Sequence, residues 1–153
     1  LSIACRGESV PQYSNRCELD PTVVDEWGIP VLRFDYQWTQ YEIDQARHMQ
    51  DAMEELLEAS GGILLGSKPG AERDYGLTQP GEIIHEVGTT RMGDNPLTSV
   101  TNQYGQLHDA DNVFVADAGT FVSQADKNPT WTIMALSWRT SDYIIEQMKQ
   151  RSL

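Results

Sequence analysis

Apolar positions along the chain fall into three kinds of pattern. Over residues 31–38 they alternate, with Leu32, Phe34, Tyr36 and Trp38 on one side and Arg33, Asp35 and Gln37 on the other. Successive side chains of a strand point to opposite faces, so this predicts a strand with one aromatic face. That face packs on a core or lends an aromatic ring to a substrate pocket. Over residues 39–60 the spacing becomes helical. Ile43, Ala46, Met49, Met53, Leu56 and Leu57 form one stripe, and Gln45, Arg47, Gln50, Glu54 and Glu58 lie off it. Thr39 with Glu42 makes a capping box, and Gly61-Gly62 supplies the left-handed stop. Over residues 113–116 the run is continuous, Val-Phe-Val-Ala, the mark of a strand buried on both faces. A last helix is predicted from Asn128-Pro129, a favoured cap and first residue, to about Gln147. Its apolar residues, Trp131, Ile133, Met134, Leu136, Trp138, Tyr143, Ile144 and Ile145, spread too widely for one stripe. This helix is therefore expected to be largely buried.

Weaker signals fill the gaps. Residues 1–5 and 15–19 read as two strands joined by the loop 7–14, and Asp20-Pro21 and residues 27–30 read as turns. Ile63, Leu64 and Leu65 suggest a further strand. The Gly-, Pro- and charge-rich stretch 66–81 reads as a long loop, functional or mobile. Residues 99–102 and 106–108 suggest short paired strands around Tyr104-Gly105. Strands mixed with helices place the chain in the α/β to α+β class.

Composition narrows the partners. The chain has 153 residues, enough for a real core, with 23 acidic residues against 11 basic ones and a formal charge of −12. Such a surface repels a phosphate backbone, which argues against nucleic acid. No apolar run approaches the ~20 residues of a spanning helix. Arg6 and Glu8 stand where a secretory signal would have its apolar centre. The chain does not begin with Met, which reads as a processed or excised segment. Cys5 and Cys17 lack metal-ligand spacing. They are bonded across a hairpin or free, and free thiols are favoured.

Chemistry concentrates in Ile84-His85-Glu86-Val87-Gly88-Thr89-Thr90-Arg91-Met92-Gly93. Apolar neighbours on both sides of His85 should desolvate its imidazole and favour the neutral, proton-accepting form. Gly88 and Gly93 let backbone approach another surface. On spacing alone a lone histidine more often packs or hydrogen-bonds than catalyses. His48, inside a polar stretch of helix, reads as solvated, and His108 as structural or solvated. Asp117-Ala118-Gly119 follows the 113–116 run, and a carboxylate among small residues at such a strand end is a common ligand position in open α/β sheets. Asn128 reads first as a helix cap, whose amide NH2 is still able to point outward.

Three ordered motifs carry a resemblance. The 85–93 stretch, Asn112-Val113-Phe114-Val115-Ala116-Asp117-Ala118, and Asn128-Pro129-Thr130 resemble the C-terminal signature of the glucose–methanol–choline (GMC) flavoprotein oxidoreductases. The form is most similar to the bacterial sugar and sugar-acid dehydrogenase branch, with pyranose oxidase close by. Residues 15–20 and 25–30 are similar to that branch too.

The resemblance implies a specific assignment. His85 would be the base that takes a hydroxyl proton while carbon gives hydride to FAD, and Asn128 would hydrogen-bond the substrate oxygen. Asp117 and Ala118 would lie along the cofactor's phosphates and ribose, with Asn128, Pro129 and Thr130 beside the flavin. Residues 1–82 would belong to an antiparallel-sheet substrate-binding domain, and 83–153 to the last strand and helix of the FAD domain. No Gly-x-Gly-x-x-Gly is present, so the N-terminal dinucleotide-binding half is expected to be missing. The remainder of the same protein, or a second chain, would then complete the fold around a small alcohol or sugar substrate. Gly119 stands where the family often has Ser, and Val122-Ser123 where it often has Pro-Thr. The competing expectations are a catalytically silent structural domain that keeps the fold, and a carbohydrate-binding module using Tyr36, Trp38 and the 66–81 loop.

Overall fold

A computed structural model describes residues 3–150 of the chain. They form two compact units, Leu1–Ile84 and His85–Leu153. No described helix is long and apolar enough to cross a membrane.

The first unit contains the only two-stranded sheet among the described residues. Strand β1 (Arg16–Val24) pairs antiparallel with β2 (Pro30–Asp35), with Cys17 opposite Phe34 and Leu19 opposite Leu32. The expected partner of residues 15–19 was the segment 1–5. Leu1 and Ser2 lie outside the described residues, and Ile3, Ala4 and Cys5 are in no strand. Asp20-Pro21 does not end the strand as expected. The register slips between Leu19 and Val24, and Asp20 Oδ1 accepts from the N–H groups of Thr22 and Val23, both at 2.8 Å. Proline has no N–H for a ladder, so a bulge is where a strand tolerates it.

Alternation in β2 is as expected, but the covered face is not. Arg16, Glu18, Arg33 and Asp35 share one face and pair with one another, with Arg16 3.4 Å from both Glu18 and Asp35. The opposite face carries Leu32 and Phe34, which are 57% and 64% exposed. Alternation fixes which residues share a face, not what covers it. Cys5 and Cys17 are free thiols.

Helix α1 (Gln40–Ala59) forms where the spacing places it, and Thr39 and Glu42 make the full capping box. Ala46 is buried at the centre of the stripe. Glu42 is buried as well, accepting from the N–H groups of Val10 (2.9 Å) and Thr39 (2.8 Å) and from the Thr39 hydroxyl. Burial raises the carboxyl's pKa, but these donors outweigh it and the net effect is to lower it. Leu56 leaves the stripe and is 60% exposed.

Ile63, Leu64 and Leu65 form no strand, and Ile63 and Leu65 are well exposed. The loop after them is anchored to α1. Gln50 Nε2 donates to the carbonyls of Pro69 (3.0 Å) and Tyr75 (2.8 Å), and Lys68 pairs with Asp51 and Glu54. His48 is exposed, as expected.

The second unit is built of bridges and one long helix. Helix α2 (Thr130–Gln150) begins after Pro129. Its first bond runs from Ile133 N–H to the Pro129 carbonyl at 2.9 Å, so Pro129 holds the cap position that the sequence assigns to Asn128. One face of α2 is stitched to the loops beneath it. Thr140 is buried with its hydroxyl 2.8 Å from the Tyr104 carbonyl, Ser137 Oγ donates to Ala116 O at 2.9 Å, and Tyr143 stacks on Tyr104 at 4.1 Å. The opposite face is exposed, so the expectation of a largely buried helix fails for this chain. Residues 113–116 also fail to form a strand buried on both faces. Phe114 makes a single bridge to Gln106, and Val113 is exposed. A strand is buried on both faces only when flanked by neighbours and covered by helices.

Candidate active site

The segment that carries His85 is held between two others. On one side, the N–H groups of Gly88, Thr90 and Met92 donate to the carbonyls of Ala118 (3.2 Å), Gly119 (3.0 Å) and Thr120 (3.0 Å). Alternate residues of an extended segment thus meet consecutive residues of a 3₁₀ turn, Ala118–Thr120. On the other side, Arg91 O accepts from Val100 N–H at 2.9 Å, and Gly93 N–H donates to Thr101 O at 2.9 Å. Thr101 is fully buried and its hydroxyl donates to Thr90 O at 3.1 Å. No apolar pattern marks Thr101, so this hub was not legible from the residues alone.

His108 fastens the far end of the segment. Its Nε2 lies 3.0 Å from Ser99 Oγ and 3.1 Å from the Gly93 carbonyl. Ser99 Oγ gives its own proton to Asn95 O at 2.7 Å, and a carbonyl only accepts. The proton of His108 therefore sits on Nε2, and the residue is structural, one of the two roles read for it.

His85 is half-buried with φ of 82°, in the left-handed region that non-glycine residues adopt uncommonly and histidine more readily than most. Gly88 shares that conformation at φ 82°, and a Cβ there would stand 3.3 Å from the Phe121 carbonyl. Ile83 and Ile84 are exposed.

Asp117 caps the 3₁₀ turn, its Oδ1 accepting from Gly119 N–H at 2.7 Å. Gly119 is buried among oxygens. A Cβ on it would lie 2.5 Å from Thr90 Oγ1, 2.8 Å from Asp117 Oδ1 and 3.0 Å from Thr89 Oγ1. Thr90 Oγ1 is itself buried without a hydrogen-bond partner.

Asn128 is exposed and Pro129 buried, and both line a cleft of about 270 Å³ with Met92, Phe121, Ala125, Thr132 and Leu136. His85, Asp117, Ala118 and Thr130 are outside that lining. Met92 ties the cleft to the His85 segment through its bond to Thr120. Met92 belongs to the motif read from sequence, whereas Phe121 and Leu136 carried no signal beyond apolar character. No described group of His, Cys, Asp or Glu side chains could hold a metal ion.

The residues fit one side of a planar anionic cofactor. The first turn of α2 leaves N–H groups without a partner in the helix, and the partial positive charge there suits an anion. Gly119 is buried with its N–H bonded to Asp117 and its carbonyl to Thr90, so the turn's exposed edge is at Asp117.

The GMC oxidoreductase pattern matches residues 11–137, and the chain belongs to that family. It is 36% identical to 2-methyl-1,2-propanediol dehydrogenase of Mycolicibacterium austroafricanum, over 94% of this chain and 25% of the relative. It is 33% identical to gluconate 2-dehydrogenase flavoprotein of Pantoea cypripedii, over 96% of this chain and 24% of the relative. Fructose dehydrogenase large subunit of Gluconobacter japonicus is 29% identical, over 98% of this chain and 26% of the relative. The chain thus spans about a quarter of the length of these relatives.

Proposed function

We propose that the chain is the C-terminal, active-site portion of an FAD-dependent oxidoreductase acting on the CH–OH group of a sugar, sugar acid or other alcohol. The observation that carries this reading is the strained, half-buried His85, held on a segment whose Met92 shares a cleft with Asn128. Strained backbone that its surroundings over-determine clusters at active sites. The relatives support the substrate class, since their names specify a diol, gluconate and fructose.

In this reading His85 takes the proton from the substrate hydroxyl, and Asn128 donates its amide N–H to the same oxygen. Asp117 and Ala118 would hold the cofactor through backbone, and Asn128, Pro129 and Thr130 would hold it at the start of α2. Bound FAD supplies the hydride acceptor. The positive end of α2 favours the anionic charge that builds on the cofactor side.

A carbohydrate-binding module is the weaker reading. Tyr36 and Trp38 meet edge to face at 82°, and the Trp38 indole N–H is engaged by Thr78 O at 3.2 Å. Rings so disposed give no flat platform for a sugar.

The test is His85→Ala in the intact protein. Flavin reduction by substrate should slow by about 10²–10⁴-fold, the usual worth of general base catalysis, with FAD still bound. A rate within a few-fold of wild type, with flavin retained, removes His85 as the base. A silent domain would show no flavin reduction before the substitution either.

A further inference from the structure

The described residues of the second unit include four lysine and arginine side chains, and three of them stand away from the cleft or are committed elsewhere. Arg91 donates to the Thr98 carbonyl, and Arg139 donates to the Gln103 carbonyl. Lys149 stands in the last turn of α2, whereas the cleft gathers around the first. Lys127 lines the cleft next to Asn128, and it is the one charged group in that lining. The other lining groups are neutral, Met92, Phe121 and Leu136 among them. Asp126 pairs with Lys127 from the preceding position but is outside the lining. Both partners are largely solvated, with side chains 81% exposed for Lys127 and 48% for Asp126. An ion pair so exposed contributes little, and another anion can take its place. In a chain of net charge −12, a cleft whose only charge is a cation runs against the general field.

We propose that Lys127 receives a carboxylate of the substrate, so that the alcohol oxidised at this site is a hydroxy acid. The inference rests on the activity proposed above and narrows its substrate class. Lys127 and Asn128 are consecutive, with Cα atoms about 3.8 Å apart. Asn128 takes the carbinol oxygen in that activity, so the carboxylate that Lys127 meets belongs to the same small molecule, a few bonds away. A neutral sugar offers the ammonium only hydroxyls, whereas a carboxylate offers a charge-assisted hydrogen bond, roughly twice as strong. Neutral walls and displaced water strengthen that contact relative to an open surface. The carbinol carbon gives its hydride to the bound cofactor and its O–H proton to His85. The product is an oxo acid whose carboxylate still rests on Lys127. The cofactor's negative charge is the competing partner for this ammonium. A cation that serves the cofactor acts on every substrate alike, and one that serves a carboxylate acts on acids alone.

The test compares matched pairs on the intact, flavin-loaded protein, gluconate with glucitol and lactate with propane-1,2-diol, by the rate of flavin reduction. The acid of at least one pair should be preferred in kcat/KM. Lys127→Met should lower that acid-to-neutral ratio about 10–100-fold, the worth of a hydrogen bond to a charged group, chiefly through KM. Lys127→Arg should keep most of the ratio. Asp126→Asn should act in the opposite direction, lowering KM for the acid by removing the competing carboxylate. Lys149→Met, the same change of charge at the far end of α2, should leave the ratio as in wild type. Preference for the neutral member of both pairs, or equal losses for acid and neutral substrates in Lys127→Met, would overturn the inference and leave the proposed activity standing. Failure of both pairs to reduce the flavin would count against the proposed activity itself. Calorimetry then judges the inference alone: gluconate bound no more tightly than glucitol, or bound equally by Lys127→Met, overturns it.

Discussion

Thr90 and Gly119 compete for one small volume: a Cβ on Gly119 would fall 2.5 Å from Thr90 Oγ1. The two residues are also joined through backbone, Thr90 N–H to Gly119 O at 3.0 Å, so neither can simply move away. A side chain at 119 would need the space that the Thr90 hydroxyl already occupies. Gly119→Ala should cost about 1–3 kcal/mol, the usual penalty for overpacking a tight site. Thr90→Ala removes the clashing oxygen, which is buried without a partner and whose loss is therefore cheap. The double variant should recover much of the loss, giving a coupling of about 1 kcal/mol or more in a double-mutant cycle. Chemical denaturation of the four proteins measures it. Strict additivity would show that the two sites do not share this space.

Glu42 predicts an acid limb of stability. Its folded-state pKa lies below the ordinary 4.5; burial opposes the shift, but the Thr39 hydroxyl and the Val10 and Thr39 N–H groups prevail. A carboxyl depressed by folding contributes stability that is complete above its unfolded pKa and is lost as pH falls through the folded value. The thermal midpoint should therefore drop below about pH 4.5, in part through this group. Glu42→Gln should be less stable than wild type at pH 7 and should converge on it as pH decreases. A gap that stays constant from pH 7 to pH 3 would exclude Glu42 as a source of the acid dependence.

The sequence disclosed elements better than surfaces. Helix α1 was legible to its cap, because Thr39 and Glu42 satisfy its N-terminal N–H groups through local chemistry alone. The alternation of β2 was legible as well, but its covering was not. Leu32 and Phe34 share a face whatever lies against it, and in this chain that face is open. The same limit applies to α2, whose two apolar faces were evident while their partners were not. At the site, residue types were readable and their supports were not. Thr101 and His108 act through hydrogen bonds to backbone carbonyls and, for His108, to the Ser99 hydroxyl, which leave no periodic trace. The one-residue move of the cap from Asn128 to Pro129 arises because a proline carbonyl accepts the first helical bond as well as any other.

Met53 and Leu56 separate the two sides of α1. The helical stripe includes both, but Met53 is half-buried and Leu56 is exposed. Met53→Asp should cost about 2 kcal/mol or more through lost packing and a charge brought against apolar neighbours. Leu56→Asp should stay within about 0.5–1 kcal/mol, the range of surface changes with a small helix-propensity term. Thermal denaturation of the two variants decides between them. A larger loss at Leu56 would mean that the buried face is rotated by about 60° from the one described.

The 153-residue chain alone should not hold FAD tightly. Within it, the groups proposed to meet the cofactor are the backbone at Asp117 and Ala118 and the start of α2 at Asn128, Pro129 and Thr130. Of these, only Asn128 and Pro129 line the cleft. A dinucleotide is ordinarily gripped at its pyrophosphate by a glycine-rich turn leading into a helix. The 153 residues contain no Gly-x-Gly-x-x-Gly to form that turn. Contacts on one face forgo that grip, while the entropy lost in immobilising the ligand remains. Titration of the purified chain with FAD, followed by flavin fluorescence or calorimetry, should therefore show weak or no binding. The intact protein should retain flavin through gel filtration. Stoichiometric, submicromolar binding by a monomer of the 153-residue chain would show that these residues suffice for the site, and would remove the need for any further polypeptide around the cofactor.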